Sequence, residues 1–260
     1  MKKHWTTILS LMVALIAVFS TTAQAGPPFL TDDPEPVEYQ HGEFYVFSLL
    51  EATKGVTAVQ VPAFEFNYGI AEETQFHIIA PFNSFASTGN PTEYGFGDIQ
   101  LGIKYRFLKE TDDWPQLGVF PMLMVPSGDA DRGLGNGSVW ATLPIWAQKS
   151  WGKWTTYGGI GYAINPAAGR KNYLFGGWLL QRKVTEKLTL GGEVYFQGAD
   201  TDTGLGPSLS TAGGIFQSTS LINLGGFYDF DEHFHFLFSA GYSLAGDKIV
   251  PGYLGLQYTW

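Results

Sequence analysis

Between Asp98 and Phe107 the chain alternates without interruption between two kinds of side chain. Asp98, Gln100, Gly102, Lys104 and Arg106 fall on one face of an extended strand, and Ile99, Leu101, Ile103, Tyr105 and Phe107 on the other. A period of two is the geometry of a β-strand, and these two faces require two different surroundings. A charged side chain pointed into hydrocarbon costs about 2–4 kcal/mol at the bilayer midplane. The charged face therefore needs water or partners, while the other face suits lipid. Residues 253–260 repeat the pattern, with Leu254, Leu256, Tyr258 and Trp260 on one side and Tyr253, Gly255, Gln257 and Thr259 on the other. An edge strand of a soluble sheet also alternates, so the number of segments and their connections have to decide.

Twelve alternating segments of about ten residues can be marked out. They lie near 43–52, 58–70, 74–85, 94–108, 115–126, 139–149, 154–165, 172–183, 188–198, 218–230, 233–243 and 250–260. The even-numbered connections (71–73, 109–114, 150–153, 184–187 and 231–232) are short and charged. The odd-numbered ones (86–93, 127–138, 166–171, 199–217 and 244–249) are mostly longer and rich in glycine, and only 53–57 is short. A soluble sandwich has no reason to sort loop length by parity. A transmembrane barrel does, with turns on its periplasmic face and loops on its external face. The expected fold is all-β: a transmembrane antiparallel up-and-down β-barrel of about twelve strands.

The rest of the chain fits that placement. Lys2 and Lys3, an apolar run over 8–19 and the small residues Ala23-Gln24-Ala25 predict a cleaved signal peptide over 1–25. The proline-rich, acidic stretch 26–42 predicts an irregular periplasmic lead-in, and 43–260 the barrel. No later run is long and apolar enough for a transmembrane helix. Hydrophobic residues make up 45% of the chain, but as alternating singles, and aromatic residues make up 16%. Both are what a lipid-facing barrel with interfacial aromatic girdles requires. There is no cysteine, so neither a disulfide framework nor a lipoprotein anchor is available. A net charge of −9 argues against a nucleic-acid partner.

The stretch from Gly95 to Phe107 (GFGDIQLGIKYRF), residues 121–129 (PMLMVPSGD), residues 62–69 (PAFEFNYG) and the terminal strand together resemble a particular family. It is the outer-membrane β-barrel family of transporter-like proteins associated with the meta-cleavage pathway of phenol degradation. The resemblance covers nearly all of the expected mature chain, 26–260. It implies residence in the outer membrane of a Gram-negative bacterium, with lipid and lipopolysaccharide as surroundings. It also implies a channel or transporter-like barrel for passive passage of an unidentified small solute, with aromatic or apolar compounds as the class. In such barrels the terminal aromatic strand, here Leu254, Leu256, Tyr258 and Trp260, is the membrane-insertion signal read by the barrel assembly machinery. The resemblance supplies no catalytic residue and no cofactor.

Alternation then assigns the lumen. Glu65, His77, Asp98, Lys104, Arg106 and Glu193 are the candidates to line it, with Asn67, Gln75, Gln197, Asn223 and Gln257 on the same face. Phe76, Ile78, Phe82, Leu190, Val194 and Phe196 are expected to face lipid. Trp146, Tyr173 and Trp178 lie in strands with too few charges to be assigned. Acidic and basic groups gathered on the second, third and fourth strands suggest either a salt-bridged plug or a charged constriction. Asp129 and Asp131, and Asp200 and Asp202, offer oxygens of the kind Ca²⁺ takes, but the D-x-D-x-D-G pattern is absent and no metal is expected.

Two rival classes remain. An envelope barrel without transport would share every feature above. An outer-membrane lipid hydrolase would need a Ser–His–acid set. His41, His77, His233 and His235 all fall towards the expected periplasmic end, and no G-x-S-x-G elbow occurs. An enzyme is therefore not expected.

Overall fold

The structure, a computed structural model, describes residues 26–201 and 218–260. The proposed signal peptide and Asp202 lie outside the described residues. Fourteen strands follow in order: β1 (Gly42–Thr53), β2 (Val56–Ala71), β3 (Thr74–Ser87), β4 (Glu93–Phe96), β5 (Ile99–Leu108), β6 (Gln116–Val119) and β7 (Met122–Val125), then β8 (Trp140–Trp151), β9 (Trp154–Ile164), β10 (Tyr173–Lys183), β11 (Leu188–Gln197), β12 (Thr219–Asp229), β13 (Phe234–Ala245) and β14 (Val250–Thr259). Apart from β4–β5 and β6–β7, sequential neighbours pair antiparallel, and β1 pairs with β14 from Glu43↔Thr259 to Ala52↔Val250. The sheet is thus closed on itself, which is the condition for crossing a bilayer with strands.

The fourteen segments form twelve staves, as the alternation predicts. β4 and β5 both pair with β3, and β6 and β7 both pair with β5 and β8. Backbone bonds carry the ladder across both gaps: Gly97 N–H to Pro81 O at 2.9 Å, and Phe120 N–H to Pro144 O at 3.4 Å. The interruptions have local causes. Pro121 has no N–H to give. At Gly97-Asp98 the hydroxyl of Ser127 takes over the ladder, accepting from Ile99 N–H and donating to Gly97 O, each at 2.9 Å.

Burial is inverted relative to a water-soluble domain. The residues shielded by protein are polar, among them Glu65, Asn67, Gln75, His77, Glu193 and Gln257, whereas Leu254 is 57% exposed and Leu256 55%. Phe64, Ile103, Tyr105, Phe107, Leu190, Val194 and Phe196 also point outward. Trp114, Trp151, Trp154 and Trp260 are exposed at the end where the turns are short, a place where amphipathic rings favour the membrane–water boundary. Of the three residues that alternation left open, Trp178 faces out at 56% exposure, whereas Trp146 and Tyr173 are buried in the interior.

The segment before β1 differs from expectation in place, not in character. It is irregular, as its prolines dictate, but it does not lie outside the barrel. It enters the lumen, where Thr31 and Asp33 are fully buried. Glycines make room for it. A Cβ on Gly177 would stand 2.1 Å from Thr31 Oγ1, and one on Gly69 would stand 1.9 Å from Glu38 O. The physical reason is complementarity: an acidic run meets a lumen that carries Lys104 and Arg106, and without it Lys104 would stand unpaired in a confined interior.

Candidate functional site

The lumen is the site, and its geometry follows from two sets of partners. The first binds the N-terminal segment. Lys104 on β5 reaches Asp32 Oδ1 at 2.9 Å and Asp33 Oδ2 at 3.2 Å, and its ammonium lies 4.9 Å from the centroid of the Phe120 ring. Arg106, two residues on and on the same face, donates to Gln116 Oε1 at 2.8 Å and pairs with Glu35 at 3.7 Å. Glu35 is also held by the carboxamides of Gln116 (3.1 Å) and Gln148 (2.8 Å). Across the lumen, Glu193 on β11 accepts the backbone N–H of Leu30 at 2.9 Å and of Thr31 at 2.7 Å, and the Asn223 carboxamide at 2.9 Å. Ser239 donates to Pro28 O at 2.6 Å, and Val37 N–H donates to Gln75 at 2.8 Å. The segment is therefore fixed to staves on opposite sides of the barrel.

The second set does not touch that segment through hydrogen bonds. His77 Nδ1 donates to Asn67 Oδ1 at 2.7 Å, and Asn67 donates to Glu65 Oε1 at 2.8 Å. Tyr45 donates to Glu43 at 2.8 Å and accepts from Gln257 at 2.7 Å. The acidic groups of β2 and the basic groups of β5 do not pair with one another across the wall. Lys104 and Arg106 are neutralised mainly by Asp32, Asp33 and Glu35 and by Glu73 of the β2–β3 turn, not by Glu65. Glu73 accepts from Arg106 Nε at 2.5 Å and pairs with Lys109 at 2.6 Å. Burial pushes its carboxyl up, but the bonds and charges of these two cations outweigh that and hold it below the usual carboxylate range.

Asp98 does something else. It faces the interior, as its parity predicts, but both its oxygens accept backbone amides of the connection between β7 and β8: Gly128 N–H at 3.0 Å and Asn136 N–H at 2.7 Å. Sequence reasoning placed the six candidates on the correct face, yet missed Asp32, Asp33 and Glu35. The available signal was their acidity, opposite in sign to the lumen residues they meet.

Below the segment a cavity of about 890 Å³ opens at the short-turn end and reaches inward to Ile79, Gln100 and Phe120. Two aromatic-rich clusters interrupt the otherwise polar interior. Phe120, Met124, Trp140, Trp146, Tyr173 and Phe175 form one buried cluster, and Tyr45, Phe47, Phe227, Leu237 and Tyr253 another. Among the described residues no cluster of three or more metal-ligating side chains is gathered. Asp229, His235 and Thr259 line up as acid, imidazole and hydroxyl, at 2.7 and 3.5 Å. The Thr259 hydroxyl, however, donates to Glu232 O at 3.2 Å, which makes this a fastening of the β12–β13 turn.

A closed antiparallel barrel with an apolar coat and a polar, partly aromatic interior defines an outer-membrane β-barrel protein. Residues 39–259 match the model of the family described as "Putative MetA-pathway of phenol degradation", and the chain belongs to that family. Among curated protein sequences none matches it. Among solved structures it is similar to the COG4313 outer membrane channel from Pseudomonas putida F1, at a TM-score of 0.67 and 16% identity over 91% of this chain and 100% of that one. It is also similar to the NanC porin, at a TM-score of 0.55 and 8% identity over 83% of this chain and 98% of that one. The translocator domain of the autotransporter NalP from Neisseria meningitidis gives a TM-score of 0.53 at 11% identity, over 99% and 96% of the two chains. These likenesses are of fold.

Proposed function

We propose that the protein is an outer-membrane channel that lets small apolar solutes, aromatic ones among them, diffuse passively along the lumen wall. The observation that carries this reading is the aromatic lining. A membrane barrel buries its strands' apolar face in lipid and does not need a second apolar cluster inside, yet Phe120, Trp140, Trp146, Tyr173 and Phe175 line the interior. Such a surface offers a moving ring successive contacts, each worth about 0.5–1.5 kcal/mol, weak enough to release it. No cofactor or bond chemistry is involved. The family's name is consistent with aromatic cargo. On this reading Glu65, His77, Lys104, Arg106 and Glu193 set the shape and charge of the passage. Leu254, Leu256, Tyr258 and Trp260 present the strand that the assembly machinery recognises, in a membrane of lipid and lipopolysaccharide.

The test is efflux from liposomes loaded with a neutral monocyclic aromatic compound or with a sugar of similar size. The proposal expects faster release of the aromatic compound than from protein-free liposomes, with little gain for the sugar. Equal release of both, or of neither, would refute it. A second reading, an envelope barrel without transport, is favoured by the occupied lumen. It predicts no release of either solute but a change in envelope integrity when the gene is deleted.

A further inference from the structure

The β7–β8 connection folds over the mouth at the long-loop end of the barrel, and its tip points inward. Leu134, at that tip, is 1% exposed, and its carbonyl accepts from the Asn83 carboxamide inside the lumen at 3.0 Å. Beneath it lies a free space of only about 20 Å³, lined by Asn83, Asp98, Gln100, Met124, Leu134 and Trp140. A space of that size holds about one water molecule. Gln100 lines this space and also the cavity of about 890 Å³ that opens at the other end. The loop tip therefore covers the interior on the long-loop side of Gln100.

Three features make the loop a closure held at defined points. Asp98 accepts two of its amides, from Gly128 and Asn136, which flank Leu134 in sequence. Ser127, where the loop leaves the wall, stitches the gap between β4 and β5 on either side of Asp98. Gly133 and Gly137 bracket the tip with φ of +73° and +75°, backbone that glycine adopts freely and that serves as a pivot. Outside, Arg132 pairs with Glu93 at 2.7 Å and Asn136 bonds to Asn165 at 3.0 Å, so the fastening extends to the next long connection.

We propose that this loop is a lid on the outer mouth, that Leu134 is its stopper, and that Asp98 is the latch that holds it shut. The inference rests on the channel reading above and assigns to it a second closure, independent of the N-terminal segment. It makes Asp98 and Leu134 determinants of what passes.

The chain has no cysteine, so a single thiol at Gln100→Cys reports access to the space under the lid. Whole cells are treated with a polymer-linked maleimide too large for general porins, which reaches this thiol only from the long-loop, external side. Adding Asp98→Ala removes both amide acceptors and is expected to raise the labelling rate roughly tenfold or more, since each bond to a carboxylate is worth about that factor. Replacing residues 129–137 by Gly-Ser-Gly is expected to raise it further. Heat-modifiable gel mobility confirms that each variant is a folded barrel. If Asp98→Ala does not fold, the shortened loop decides alone. Unchanged labelling in the folded variants overturns the proposal. Faster labelling without faster solute efflux in liposomes supports the lid and refutes the channel. Unchanged labelling with normal efflux refutes the lid and leaves the channel.

Discussion

Lys104→Met removes the cation that holds the N-terminal segment at two carboxylates. The Lys104 side chain is 5% exposed and that of Asp33 is fully buried, so the substitution leaves Asp32 and Asp33 in a confined interior without their counter-charge. Breaking a buried pair by removing one partner costs about 3–5 kcal/mol. Proton uptake by one carboxyl and water entering from the cavity of about 890 Å³ will relieve part of this. A net loss of about 2–3 kcal/mol is expected, which raises the undocked population of the segment roughly 30- to 150-fold. Thr31→Cys provides the readout, because Thr31 is fully buried only while the segment is docked and no other thiol competes. Purified protein in detergent is treated with a maleimide under conditions where labelling follows undocking. The rate is expected to rise by that factor in Lys104→Met. Further replacement of Asp32 and Asp33 by Asn, which removes the charges needing a partner, should recover most of the protection. An unchanged rate in Lys104→Met, or no recovery in the triple variant, would show that the ion pairs do not hold the segment.

Other expectations follow from the same geometry. Glu193→Ala orphans the amides of Leu30 and Thr31 and the Asn223 carboxamide, and should weaken docking by about 1–3 kcal/mol, read as faster Thr31→Cys labelling, with Glu193→Gln milder. The carboxyl of Glu73 is held below its ordinary range, so its contribution to stability is full above the ordinary carboxylate pKa and fades as pH falls through the lowered one. Urea unfolding in micelles should show that acid loss in the wild type and less of it in Glu73→Gln. Leu256→Lys places a charge on the lipid face and should cost about 2–4 kcal/mol if it lies near the midplane, measured by unfolding in lipid vesicles. Trp146→Ala should reduce the preference for the aromatic solute over an aliphatic one of equal size by a few-fold in liposome efflux.

The wall was legible in the sequence because lipid and lumen impose opposite demands on successive residues. Lys104 and Ile103 cannot exchange faces, and one such strand fixes the register of its neighbours. Trp146, Tyr173 and Trp178 were not legible, since an aromatic ring suits lipid and an apolar lumen equally well, and the structure sends the first two inward and the third outward. The N-terminal segment was read as irregular but misplaced. A proline-rich run has no period, so it carries no face that says what it lies against. Its acidic residues and the basic lumen residues were both visible, but their pairing joins positions about seventy residues apart. Asp98 was assigned to the correct side, while its amide partners belong to a loop whose path no alternation records.

The attachments of that segment reach β3 through Gln75, β5 through Lys104, β8 through Gln148, β11 through Glu193 and β13 through Ser239. These staves are spread around the circumference, and of the five only β3 and β5 are hydrogen-bonded to each other. A single curved sheet resists stretching along its ladder but flattens easily into an oval. A strut tied to the wall at five points opposes that distortion, as spokes keep a rim round. Loosening it at one stave is therefore expected to soften the cross-section everywhere, including at the mouth where Asp98 and Leu134 meet.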